Sequence, residues 1–239
     1  MENEMAATPR ITKNSAEQLR LEERVQLGFA SNEKSRDEIH PGLLEHARSC
    51  SSVWALKGKS PDSKVLKAQL RKTVDLLASI RRDSAKGEGT KGLPISLHRT
   101  LLTSRLLLQA TALDVQDSFR WKAPLPQVSS GSDERFPRCY VAARAYLAAT
   151  NLDFEEDSFR AYMRTAQESG AFQMSEIWLL SPMLQLELLS QLGDTVQQAR
   201  ERMEDGLEQK IDKILAVLHR VREASWKTTF KVLLSLIHI

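Results

Sequence analysis

Residues 194–219 read DTVQQARERMEDGLEQKIDKILAVLH. Within them Val196, Ala199, Met203, Leu207, Ile211, Ile214 and Leu218 recur at steps of three and four. That spacing puts all seven on one side of a 3.6-residue helix. The pattern predicts a long helix with Asp194 as its cap, packed within a bundle or paired with another helix.

The same period repeats upstream. Ser175 is read as the cap of a helix carrying Ile177, Trp178, Leu180, Leu184 and Leu188, with a kink expected at Pro182, which lacks a backbone N–H. Asp153 to Glu156 reads as a capping box for a helix with Phe159, Tyr162, Met163 and Ala166 on one face, closed by Gly170. Pro137 opens a helix through Ala149. Pro94 opens another, apolar on much of its circumference through Leu97, Leu101, Leu102, Leu106, Leu108 and Leu113, which predicts a central place in the bundle. Ser60 and Pro61 read as the start of a helix with Leu66, Leu70, Val74, Leu77 and Ile80 inward, ending at Lys86 to Gly89. Pro41 starts one that runs to about Leu56, with Leu44, Ala47, Val53 and Trp54 inward.

The fold class expected is all-α, a multi-helix bundle. Residues 1–40 are expected to form a disordered, flexible lead-in, with a weak helical stripe from Ser15 through Leu19 and Val25. Residues 41–233 form the helical domain. Residues 120–136 are its one long irregular connection, rich in Pro and Ser. Only 10 Gly and 8 Pro punctuate 239 residues, which favours long helices over many short strands. Cys50 and Cys139 stand far apart without metal-ligand spacing and read as reduced thiols in a cytoplasmic setting. The longest uncharged apolar run of interest, residues 177–186, has ten residues, about half of a bilayer span.

Net charge is +3, but residues 57–91 hold ten Lys or Arg against four acidic residues. Lys64, Lys67, Arg71 and Lys72 are the candidates for contact with an anionic lipid surface; a solvated helix face is the simpler reading. No aromatic residue lies in that segment, so base stacking is absent from it and no nucleic-acid partner is expected.

The search for chemistry is mostly negative. The chain has no Gly-rich phosphate loop, no HExxH and no nucleophile elbow, so no catalytic, cofactor or metal residue is assigned and no cofactor is expected. His40 with His46 is a poor metal pair, and His98 and His219 stand alone. Glu176 with Trp178 is the most suggestive constellation, since an acid beside an indole can hold a sugar ring. The alternative is packing, with Glu176 in a helix first turn and Trp178 in the core.

Two segments carry a resemblance. One is FPRCYVAARAYLAAT, residues 136–150, followed by SFRAY at 158–162; the other is FQMSEIWLLSPMLQL, residues 172–186. They resemble the N-terminal region of cyclic β-1,2-glucan synthases. In that family a Pro, Arg and Tyr open a helix, and a Gly-Glu-Leu-Trp stretch precedes a proline and a Leu-rich helix. Here Ser175 replaces the glycine and Ile177 the leucine, while Glu176, Trp178 and Pro182 stand in place. The resemblance covers about residues 94–230 and implies a large inner-membrane glycosyltransferase using UDP-glucose, with its catalytic parts outside this segment. Partners would be the remaining catalytic and membrane domains of the parent.

Residues 234–239, LSLIHI, match the translation of a sequencing-library transposon end, and are expected to be adapter-derived. The function expected is a non-catalytic helical region of a cyclic β-1,2-glucan synthase-like protein. The alternative is a stand-alone helical adaptor; a small helical enzyme is the third reading.

Overall fold

The computed structural model describes residues 41–60, 64–85, 93–120, 124–129, 135–202 and 206–235. The expected lead-in over 1–40, the Pro61 turn, the Lys86–Gly89 ending and most of the 234–239 tail lie outside them. The described residues are mostly helical, with one small sheet. In chain order they form α1 (Pro41–Ser52), β1 (Ala55–Ser60), α2 (Lys64–Ala85), α3 (Ile95–Thr103), α4 (Arg105–Ser118), β2 (Leu125–Ser129), β3 (Phe136–Pro137), α5 (Arg138–Ala149), α6 (Glu156–Ala166), a 3₁₀ turn (Gln167–Ser169), α7 (Met174–Glu201), α8 (Leu207–Glu223) and α9 (Trp226–Leu234).

The central helix is α7, which packs against α2, α4, α5, α8 and α9. Ile177, Leu180, Met183, Leu184, Leu186, Leu188, Leu189, Leu192 and Val196 are all buried, so it is covered on nearly every side. Its buried polar positions disguise this in the sequence. Several find a partner one turn away: Gln185 Nε2 donates to Ser181 Oγ, Gln191 Nε2 to Glu187, and Thr195 Oγ1 to the Gln191 carbonyl. The segment expected at the centre, residues 94–113, is instead two helices that turn at Ser104. They bury Leu97, Leu101 and Leu108 but leave Leu106 70% and Leu113 58% exposed, because only one face of each meets the core.

Asp194 caps nothing. It lies inside α7 and pairs with Lys72 across the surface at 3.1 Å. The stripe beginning at Val196 is divided between α7 and α8, and Gly206, at φ 88°, is the N-cap of α8. That backbone conformation suits a residue without Cβ. The α7 N-cap is Gln173 rather than Ser175, in a reciprocal box with Glu176. Likewise Glu155, not Asp153, precedes α6; the Asp153 carboxylate accepts the Phe154 N–H and pairs with Arg220 at 2.6 Å. Between α5 and α6, the Leu152 N–H returns to the Leu147 carbonyl and the Asn151 N–H to Ala148. This closes α5 in a Schellman turn with Asn151 at φ 51°.

The long connection over 120–136 is not wholly irregular. It supplies β2 and part of β3, and β1 pairs antiparallel with β2, giving the order β1-β2-β3. The chain therefore leaves α1 at Ser52, Val53 is 68% exposed, and Ser60 is the last residue of β1. Between Leu56 and Lys59 the β1 register slips, with Gly58 at φ 98° supplying the bulge. No described helix is long and apolar enough to cross a membrane.

Candidate functional site

The two sequence segments singled out above meet in space. Arg138 opens α5 and Glu176 lies in the first turn of α7; the guanidinium donates from Nε to Oε1 at 2.9 Å and from Nη2 to Oε2 at 2.6 Å. Arg138 Nη1 and Nη2 also donate to the Gly170 and Ala171 carbonyls. The Gln173 N–H donates to Glu176 Oε2 at 2.8 Å. Phe172 lies flat under the guanidinium, 4.7 Å from ring centroid to Cζ, and Trp54 packs on Phe172. Side-chain exposure is 7% for Arg138 and 0% for Glu176. A two-pronged, buried pair of this kind fixes geometry. Its oxygens point into the protein, so it forms a lock and offers no carboxylate to a surface ligand.

Trp178 stands apart from that lock. It is 45% exposed, against a core position expected for a packing indole, and rests on Phe230 of α9 at 4.9 Å between ring centroids. Phe230 in turn meets Trp226, which packs at a tilt against Phe154 and edge to face with Phe159. The structure thus sends Glu176 inward and leaves Trp178 at the rim of an aromatic cluster, so the two do not form one sugar-holding constellation.

Lys64, Lys67, Arg71 and Lys72 do come together. All four line an open groove of about 880 Å³ beside α2, with Arg120, Phe119 and Asp75. Phe119 comes from the end of α4, and Lys67 Nζ sits 5.9 Å from its ring centre. The aromatic residue missing from 57–91 is thus supplied by a distant helix, something no local reading of the segment could find.

Other titratable groups are held neutral in the interior. Burial pushes the Tyr140 phenol up, reinforced by the Glu187 carboxylate that accepts its hydrogen bond at 2.7 Å. Burial also raises Tyr146, Tyr162 and the fully enclosed Cys139 thiol. Cys50 Sγ lies 3.5 Å from His46 Nε2, and His46 Nδ1 is 3.0 Å from the Tyr162 hydroxyl. Burial raises the Cys50 thiol as well, the opposite of an activated nucleophile. Among the described residues no group of three or more His, Cys, Asp or Glu is placed to hold a metal.

No match to a protein-family model, a curated protein or a solved structure was found.

Proposed function

We propose that the chain is a non-catalytic helical region of a cyclic β-1,2-glucan synthase-like membrane glycosyltransferase, working at the cytoplasmic face of the inner membrane. The observation that carries this reading is the Arg138–Glu176 pair. It joins the two segments that bear the family resemblance, and gives a packing reason for an Arg at one helix start and a Glu at the other. The basic groove of α2 supplies a face for anionic headgroups, where each Lys or Arg contributes about 1 kcal/mol near the surface. The parent's glucose transfer from UDP-glucose belongs to domains outside this chain.

Vesicle co-sedimentation tests the membrane-facing role. Vesicles with anionic lipid bind at low salt and release the chain at high salt; salt-insensitive binding, or none, overturns the role. Turnover of UDP-glucose by this chain overturns the non-catalytic reading. Genomic sequence past the Leu233 codon tests the parent: a frame continuing into membrane spans and a glycosyltransferase domain is expected.

A second reading, a stand-alone helical adaptor, draws on the apolar cleft between α2, α3 and α4. Val74, Leu77, Leu102 and Ala112 line it, and Leu106 and Leu113 are exposed on the same helices. Light scattering separates the two, because a stable monomer at all concentrations argues against helix pairing.

A further inference from the structure

Beyond the α2 groove lies a second, smaller concavity of about 360 Å³. Its walls come from two neighbouring stretches and one distant one: β1 gives Lys57, Lys59 and Ser60, the start of α2 gives Lys64, and Arg135 comes in just before β3. Lys57, Lys59 and Arg135 line this space beside Lys64, which has a partner of its own. Leu66, Phe136 and Pro137 make an apolar side, and Gln127, 4% exposed, is held by donating to the Ser60 and Leu125 carbonyls.

We infer that this pocket is a phosphate-binding site, taking a phosphate group either free in solution or on a lipid headgroup. Three physical features point to it. Like charges are gathered in a concavity, where low-dielectric walls strengthen the field an anion meets. The bulge at Gly58 falls between the two β1 lysines, so a local irregularity of the strand sits at the site. Arg135 adds a planar fork that matches phosphate oxygens, which a lysine cannot do. Lysines on an edge strand also discourage sheet-to-sheet pairing, but that role involves neither Arg135 nor any particular anion.

The site is distinct from the α2 groove in all but Lys64, so the two ideas fail separately. The experiment titrates inorganic phosphate into the full chain, following Lys and Arg side-chain NMR signals at ionic strength matched with chloride. Vesicles containing phosphatidic acid form the second arm. The pair Lys57→Gln/Lys59→Gln, both on exposed positions of β1, is expected to weaken binding by about tenfold or more, and Arg135→Gln to weaken it in the same direction. Lys67→Gln/Arg71→Gln, in the neighbouring groove, leaves phosphate binding unchanged. Phosphate binding without preference for the vesicles identifies a free phosphate; vesicle binding that Lys57→Gln/Lys59→Gln weakens in a Lys67→Gln/Arg71→Gln background, without binding of free phosphate, identifies a headgroup. An equal response to chloride, no binding in either arm, or phosphate binding that survives Lys57→Gln/Lys59→Gln overturns the inference.

Discussion

Arg138 Nη2 lies 2.6 Å from Glu176 Oε2, and the two buried side chains hold the first turn of α5 against the first turn of α7. Arg138→Met leaves a carboxylate uncompensated in the interior. The expected loss is about 3–5 kcal/mol, read as a lower urea midpoint at unchanged slope. The double variant Arg138→Met/Glu176→Leu is expected to be more stable than Arg138→Met alone, since no charge is then stranded. A double variant no better than the single would mean that the pair's loss is felt through packing alone.

Gly193 lies inside α7, where Ala would ordinarily favour a helix by up to about 1 kcal/mol. Here a Cβ would meet Thr73 Oγ1 at 2.9 Å and Cγ2 at 3.3 Å, and Thr73 is itself buried. Crowding wins: Gly193→Ala is expected to destabilise by about 1–3 kcal/mol. In a Thr73→Ala background the same change should be neutral or stabilising, and thermal melts of the four variants decide it.

All three tyrosines of the chain, Tyr140, Tyr146 and Tyr162, are held protonated above the ordinary phenol range, burial being the largest cause in each. A phenol whose folded pKa is raised binds its proton more tightly in the native state. The corresponding stability is complete below the unfolded phenol pKa of about 10 and falls as pH rises above it. Tyrosinate absorbance near 295 nm should therefore rise only together with the loss of helical circular dichroism. A phenolate signal appearing in fully helical protein would show that one ring reaches solvent.

The chain has two cysteines, and the structure makes them unequal. Cys139 is buried with a raised thiol, while Cys50 is part-exposed and only its own burial holds it up. A thiol reagent is expected to label Cys50 slowly in native protein and Cys139 only in denaturant. Rapid labelling of Cys139 under native conditions would place it outside the core described here.

Helical character was legible because it is local. The steps Ile211, Ile214, Leu218 need no partner to be read, and α8 buries all three. The strands were not legible. LKGKS in β1 has no alternation of apolar and polar residues, and its hydrogen-bond partner Leu125–Ser129 lies beyond three intervening helices. The candidate site divides in the same way. Four cations at helical spacing on α2 could be read as one basic face, whereas Phe119 and Arg135 join the basic surfaces only through folding.

By itself the sequence determined a helical bundle, an uneven basic charge and the two segments around Arg138 and Glu176. These are properties of periodicity and residue type along the chain. Tertiary structure alone decided that α7 is the central helix, that Glu176 turns inward to Arg138, that Trp178 stays at the rim, and that Lys57, Lys59 and Arg135 share one pocket. Each of those is a contact between residues far apart in sequence, selected by how the apolar faces of several helices are buried together, and no single segment encodes it.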